Sequence, residues 1–341
     1  MKGRQIILDH IEGREAAALM VDGQLDDLLI DSLDAPRPGT IYRAVADRPV
    51  KGQGGMFLKT PDGMAFLRQV KGMAPGDVLL VQVTGLAEPG KAIPVTHKVL
   101  FKSRYAIVTP GSPGVNVSRS IRDDDRRDAL LGVAHEVAEA PEAGIILRSA
   151  CAEAEDADVA EDIAAMLDLA EQVMGDAEGP AEKLIDGDGP HVSAWRDWSE
   201  PAEVVTEAGS FDTHGVLDAL EDAQGARVSL GGGADMYVEP TRALVAVDVN
   251  TGKDTSPAAG TKANFAMAKA LPRALRVRGL GGQIVLDLAP MPKKDRRGFE
   301  SALRAAFKRD TIDTTLVGWT PLGHYELQRK NARAALSEVL K

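Results

Sequence analysis

Two aspartates, Asp248 and Asp287, each close a short apolar run, Ala243–Val247 and Ile284–Leu286, and Asn250 follows the first by two residues. Two hard carboxylates with no His or Cys beside them suit Mg²⁺ or Mn²⁺ better than Zn²⁺. If the strand continues to Asn250, its amide lies on the same face as Asp248 and could orient a metal-bound water. A lone strand-end Asp equally suits the cap of a turn or helix. What favours the metal is the pairing of two such residues beside a strongly basic helix.

The elements that must position this pair follow from periodicity. Runs that short and β-branched read as strands buried on both faces. Between them Thr261–Arg278 reads as a helix, interrupted by Pro272 and ended by Gly279. Together they predict a βαβ unit, which sets two parallel strands side by side with their carboxyl ends together. Both aspartates would then face one crevice, where open α/β sheets bind ligands.

The run Ala-Val-Asp-Val-Asn-Thr-Gly at 246–252, the run Leu-Arg-Val-Arg-Gly-Leu-Gly-Gly-Gln-Ile-Val-Leu-Asp at 275–287 and the order of the upstream segments resemble the bacterial ribonuclease E/G family. The resemblance implies a multidomain α+β and α/β chain: an RNase H-like subdomain with an inserted OB-fold RNA-binding barrel, a 5′-sensor region and a DNase I-like catalytic subdomain. The corresponding boundaries are 1–35 and 179–225 for the two parts of the RNase H-like piece, the second shortened, 36–100 for the barrel, 101–178 for the sensor and 226–341 for the catalytic part. By the same resemblance Asp248 and Asp287 hold a catalytic Mg²⁺, with Mn²⁺ a substitute, Asn250 assists the attacking water, and Arg278 lies near the scissile phosphate. The implied activity is endonucleolytic cleavage of single-stranded RNA, mRNA or rRNA precursors, leaving 5′-phosphate and 3′-hydroxyl ends. The rival expectation is an RNA-binding or ribosome-associated factor with little or no nuclease activity. It is motivated by the short middle segment, by Cys151 in the sensor and by Pro290, where the family often has a further aspartate.

Net charge is −11, which taken alone argues against a polyanionic partner. The charge is segregated, however. Glu153–Glu239 holds 23 acidic residues against Lys183, Arg196 and Arg227, while Lys269–Arg309 holds 11 basic against 3 acidic. An acidic segment beside a basic working face is compatible with RNA.

Upstream, Gln5–Leu8, Glu15–Val21 and Leu25–Ile30 read as strands with a turn at Asp22-Gly23. After the Pro-rich break at Asp34–Gly39, five short strands are expected at Thr40–Ala46, Gly55–Lys59, Met64–Gln69, Asp77–Val83 and Ala92–Leu100, the pattern of an OB barrel. The resemblance makes Phe57 and Phe66 base-stacking residues and brings Lys91 and Arg119 to the RNA. Read from residues alone, the two rings fit barrel core equally well, and Lys91 is a solvated turn lysine.

Tyr105–Ile121 reads as strand, loop, strand, followed by a helix that opens at Asp123-Asp124-Asp125 and continues apolar over Ala129–Val137, then a buried strand ending in Arg148-Ser149. A guanidinium fork beside a hydroxyl suits a terminal phosphate. The resemblance makes Arg148, Ser149 and the backbone at Ile107 the 5′-monophosphate pocket, although Cys151 replaces a family glycine. A strand-end salt bridge is the plainer role for Arg148. A long acidic helix is expected over Cys151–Ala177, a linker over Asp176–Pro190, and a basic helix over Lys293–Lys308 with Phe299, Leu303 and Phe307 inward. His324 reads as structural.

One cysteine excludes an internal disulfide. No signal peptide or membrane span is legible, so a cytoplasmic protein is expected. The paired-cysteine zinc link that commonly follows this domain in the family does not occur before Lys341. A zinc-linked tetramer is therefore not expected, and a homodimer through other surfaces stays open.

Overall fold

Glu12, Gly13, Asp22 and Gly23 adopt left-handed φ values of 51°, 75°, 50° and 78°. Two successive residues of this kind make the two-residue turns that match strand twist. They fold the first segment into β1 (Arg4–Ile11), β2 (Arg14–Val21) and β3 (Gln24–Ile30), paired antiparallel in sequence order. The computed structural model describes residues 3–32, 35–50, 54–68, 72–87, 90–138 and 142–340; Asp34, the expected strand end at Gln69, and Pro89 before Lys91 fall outside these. The chain divides into two units, Met1–Asp31 with Ala202–Lys341, and Ser32–Pro201.

In the second of these, β4 (Ile41–Val50), β5 (Gly55–Thr60), β6 (Gly63–Leu67), β7 (Val78–Val83) and β8 (Ile93–Thr96) hydrogen-bond in the order β4-β5-β6-β8-β7, and β7 returns to β4. The five expected strands thus close into an OB-like barrel around Tyr42, Ala44, Leu58, Ala65, Leu67 and Val81. A four-stranded sheet follows: β9 (Phe101–Lys102), β10 (Ala106–Thr109), β11 (Gly114–Val117) and, after helix α1 (Asp124–Val137), β12 (Gly144–Leu147). Its order is β11-β12-β10-β9, so the strands flanking the loop at 110–113 do not pair; β12 lies between them. The Asp123 carboxylate accepts from the Arg126 backbone N–H at 2.9 Å and starts α1 at the expected acidic opening.

The expected acidic helix is α2 (Asp156–Gly175), preceded by a separate 3₁₀ turn at Ser149–Ala152. The Arg126 guanidinium accounts for the break by donating to the carbonyls of Cys151 and Ala154. The expected linker is in part a strand. β13 (Glu182–Ile185) adds to β4, and Glu182 lies opposite Arg43, with which it forms an ion pair. The Gly, Asp and Pro residues around this strand masked its four-residue signal. Helix α3 (Pro190–Asp197) ends the unit.

The chain re-enters the first unit through β14 (Glu203–Val205), parallel to β1. Helices α4 (Ser210–Thr213) and α5 (Val216–Gln224) bury Phe211, Val216 and Leu220 against Ile7, Ala16, Ala18 and Leu28. The remainder is a mixed sheet built from β15 (Arg227–Gly231), β16 (Ala234–Pro240), β17 (Val245–Asn250), β18 (Gly282–Asp287), β19 (Thr314–Trp319) and β20 (Tyr325–Arg329), in the order β15-β16-β17-β18-β20-β19. Helices α6 (Ala259–Val277) and α7 (Arg296–Lys308) cover one face with Met267, Leu271, Leu275, Phe299, Leu303 and Phe307, and α8 (Leu336–Val339) closes the chain.

Two expectations about this sheet are corrected. β17 and β18 are buried on one face only: Val245, Val247, Val249, Ile284 and Leu286 point into the core, while Asp248, Asn250 and Asp287 are exposed. The apolar runs looked continuous because Ala246 and Val285 sit on the open face. Helix α6 also runs unbroken through Pro272, where buried Leu271, Ala274 and Leu275 hold the turn that lacks one backbone donor. No helix among the described residues is long and apolar enough to cross a membrane.

An ion network ties the two sheets of this unit together. Arg276, near the end of α6, pairs with Asp26 at 2.8 Å and with Asp310, and Asp310 also binds Arg329. Arg333 pairs with Asp27. The Asp310 and Arg329 side chains have no solvent exposure.

Candidate active site

Strand register builds the site. Parallel pairing of β17 with β18 places Asp248 directly opposite Asp287, and antiparallel pairing of β16 with β17 places Tyr237 opposite Asp248. On the other side Leu286 pairs with Tyr325, so His324, one residue before β20, comes level with Asp287. His324 Nδ1 lies 3.3 Å from Asp287 Oδ1. Asn250 Nδ2 donates to Asp248 Oδ2 at 2.7 Å. Neighbouring strands are roughly 4.8 Å apart, so the two carboxylates share the open face of one sheet instead of capping separate turns.

The donor set fits a hard divalent cation. It consists of two carboxylates, with an amide beside Asp248 and, contrary to the expectation of no histidine nearby, the His324 imidazole against Asp287, whose side chain is 67% exposed and leaves room for water ligands. Mg²⁺ keeps several waters and is commonly held by one or two carboxylates plus substrate phosphate. Among the described residues no group of three or more His, Cys, Asp or Glu is gathered as a metal cage.

The loop after Asp287 is held by a residue that sequence reasoning passed over. Asn264 is fully buried on α6; its amide donates to the Ala289 carbonyl at 2.9 Å and its carbonyl accepts from the Ala289 N–H at 3.1 Å. A polar side chain amid Ala263, Met267, Ala268 and Leu271 was the available signal. Gly260 lets the helix start approach this loop, since a Cβ there would fall 2.0 Å from the Pro290 carbonyl oxygen. Asn264→Ala leaves two buried backbone groups unpaired, and we expect it to cost about 1–3 kcal/mol. Denaturant titration reads that loss, and hydrogen exchange should show the loss of protection at the Ala289 amide.

Arg278 is not at the open face. It is 8% exposed, and its guanidinium donates to the carbonyls of Ala274 at 3.2 Å and Gly225 at 3.0 Å. Burial lowers its pKa, aided by nearby Arg273. The side chain is thus turned inward onto backbone carbonyls, which the sequence position alone could not reveal.

In the barrel unit, Phe57 and Phe66 form a direct cross-strand pair with ring centroids 5.4 Å apart. Their neighbours Met56, Leu58, Ala65 and Leu67 fill the barrel, so both rings stand on its outer surface and are not core. Arg48 stacks on Phe57 at 5.1 Å. Phe66 lies so close over β5 that a Cβ on Gly55 would meet its ring at 2.4 Å. Exposed Lys91 borders the same shallow groove of about 310 Å³, together with Arg48, Phe57, Met64 and Ile93. Arg119 is exposed in the turn after β11.

Arg148 is already engaged. It donates to the carbonyls of Ser103, Arg104 and Arg196 and pairs with Asp197 at 2.7 Å. Asp197 also binds Lys102 at 2.6 Å and Arg196 at 2.9 Å. Burial opposes ionisation of Asp197, but Arg196 and Lys102 outweigh it and hold the carboxyl well below the usual range. The strand-end salt bridge is therefore present. Ser149 is exposed, and Ile107 is half-buried in β10. Cys151 needs no glycine-like backbone: it lies in the 3₁₀ turn, packs into the core and donates its S–H to the Tyr105 carbonyl, and burial pushes the thiol up to about 11.

A chain that combines an OB-like barrel carrying an outward aromatic pair with a sheet presenting two in-register carboxylates has the equipment of a nucleic-acid-processing protein. The profile of the Ribonuclease E/G family matches residues 101–202 and 196–332. The chain belongs to that family. It is 27% identical over 310 residues to Ribonuclease G of Salmonella typhimurium, covering 78% of this chain and 62% of the relative. Ribonuclease G of Escherichia coli K12 gives the same identity and coverage over 307 residues. Ribonuclease E of Synechocystis is 25% identical over 394 aligned positions, spanning 98% of this chain and 58% of the relative. The chain thus spans about three fifths of the length of these curated relatives.

Proposed function

We propose that this chain is a Mg²⁺-dependent endoribonuclease of the cytoplasm that cleaves single-stranded RNA and leaves 5′-phosphate and 3′-hydroxyl ends. The observation that carries the reading is the register pairing of Asp248 with Asp287 on neighbouring parallel strands, in a chain of this family. In this reading the β14-β1-β2-β3 sheet is the RNase H-like subdomain and the carboxylate-bearing sheet is the DNase I-like one.

Asp248 and Asp287 would hold the ion, with Mn²⁺ an acceptable substitute. Such an ion lowers the pKa of its water and offsets charge on the phosphate. Asn250, bonded to Asp248, keeps one carboxylate oriented and would assist the attacking water. His324 fixes Asp287 from the opposite side. Phe57 and Phe66 offer a π surface to bases, which is sequence-tolerant because every base has a π face. Lys91 and Arg119 meet the backbone, and Ser149 with Arg148 would take a 5′-phosphate if Asp197 yields its partner.

The second reading, an RNA-binding factor that cuts slowly or not at all, draws on Arg148 and Arg278, two cations whose guanidinium groups are spent on internal partners. Cleavage of a fluorescent single-stranded RNA carrying a 5′-monophosphate separates the two. With Mg²⁺ we expect product, with Mn²⁺ partial or full activity, and with excess EDTA loss of at least about 10²-fold. Binding without cutting in Mg²⁺ would overturn the nuclease in favour of the binding factor.

A further inference from the structure

Trp195 on α3 is 53% exposed, as is Val192 one turn before it. One exposed ring is ordinary by itself; what marks this one is how it is held. This ring is already ordered. The Arg104 guanidinium stacks 3.9 Å from its centroid and donates a hydrogen bond to the Trp195 carbonyl, so each side chain fixes the other. Arg104 pairs with no carboxylate among the described residues.

The surroundings specify the chemistry of the occupant. The Arg104 and Arg196 carbonyls both accept from Arg148, which places the stack beside the Asp197 cluster. Around it, among the described residues, Lys102, Arg104, Arg148 and Arg196 stand with Asp197, Asp188 and Asp162, the last bonded to the Ser103 hydroxyl and the Tyr105 N–H on either side of Arg104. Four cations against these three carboxylates leave a small local positive excess, within a stretch of sequence that is otherwise strongly acidic. A preordered indole with a guanidinium on one face and excess positive charge at its edge matches a base and its phosphate, since stacking supplies the contact area and the cations meet the backbone. An apolar protein partner would gain nothing from the uncompensated guanidinium.

We propose that Trp195 and Arg104 form a second base-stacking platform for single-stranded RNA, separate from the Phe57–Phe66 pair: one base lies on the open face of the indole and a phosphate on the cationic cluster. This rests on the RNA-binding reading above.

The test is fluorescence anisotropy of a short 5′-monophosphorylated single-stranded RNA in EDTA, with the whole chain as wild type, Trp195→Phe, Trp195→Ala and Phe57→Ala. Trp195→Ala should weaken binding about 5-fold or more, and Trp195→Phe should retain most of the affinity. The salt dependence should stay unchanged for Trp195→Ala, because stacking releases no counterions. Circular dichroism should be unaltered, as expected for an exposed side chain. Equal affinity of Trp195→Ala and wild type, with Phe57→Ala weakened, would overturn the platform and leave the RNA-binding reading standing. Absence of binding by the wild type would overturn that reading and the platform with it.

Discussion

Asp248→Asn is expected to lower the single-turnover cleavage rate by about 10³-fold or more while leaving RNA affinity within a few fold. The substitution is nearly isosteric, and the new amide oxygen can still accept from Asn250, so what is removed is one of two negative charges at the position proposed for the cation. On the proposed mechanism such an ion would supply several kcal/mol of transition-state stabilisation, and each 1.4 kcal/mol is tenfold in rate. Stability should change by less than about 0.5 kcal/mol, because Asp248 is exposed and makes no buried pair. Asp287→Asn should act in the same direction, since its amide oxygen can still meet His324 and the loss is again one negative charge. Normal turnover in either variant would remove the carboxylate pair from the mechanism. Loss of RNA binding alongside loss of cleavage would show that the pair serves affinity instead of chemistry.

Asp310→Ala is expected to cost at least about 3–5 kcal/mol in folding stability, read as a lowered denaturant midpoint. Asp310 lies between Arg276 and Arg329, and its removal strands the Arg329 guanidinium away from water and takes one carboxylate partner from Arg276. Arg329 is already poorly served: its Nε and one Nη are buried without a partner, and its remaining bonds go to Asp310 and Thr314. Burial lowers the Arg329 pKa, with Asp310 opposing, so loss of the carboxylate removes what keeps the charge tolerable. Arg276 also grips Asp26 on β3, and the disturbance should therefore reach the sheet that opens the chain. Breaking the surface pair Lys59–Asp47 by Lys59→Ala should change stability by less than about 1 kcal/mol, since Lys59 is 64% exposed and solvent screens the attraction. Equal effects from the two substitutions would contradict a buried network at Asp310.

Local chemistry made much of this protein readable from its residues. The barrel strands were legible because short β-branched runs alternate with Gly- and Asp-rich turns. Helix α7 was legible from Phe299, Leu303 and Phe307 at helical spacing. The pairing of Asp248 with Asp287 was legible because a single crossover helix leaves two strands little choice but to lie parallel and adjacent. By contrast β13 was hidden, since four residues whose edge position depends on the distant β4 carry no periodic signal. The one-faced burial of β17 and β18 was also hidden: an Ala or Val on an open face looks like core until the covering helices are placed.

That Asp248 and Asp287 end neighbouring strands, and which chain neighbours present them, could be read from the residues alone, because strand polarity, helix spacing and turn geometry act over short distances. Only the tertiary structure decided where the cations go and what stands beside the carboxylates. Arg148 turned to Asp197, Arg278 to two backbone carbonyls, and His324 came level with Asp287 through the register of a third strand. Guanidinium and imidazole groups reach several ångströms from their backbone and bind whichever partner packing brings near. Their roles are therefore set by long-range contacts that no local pattern records.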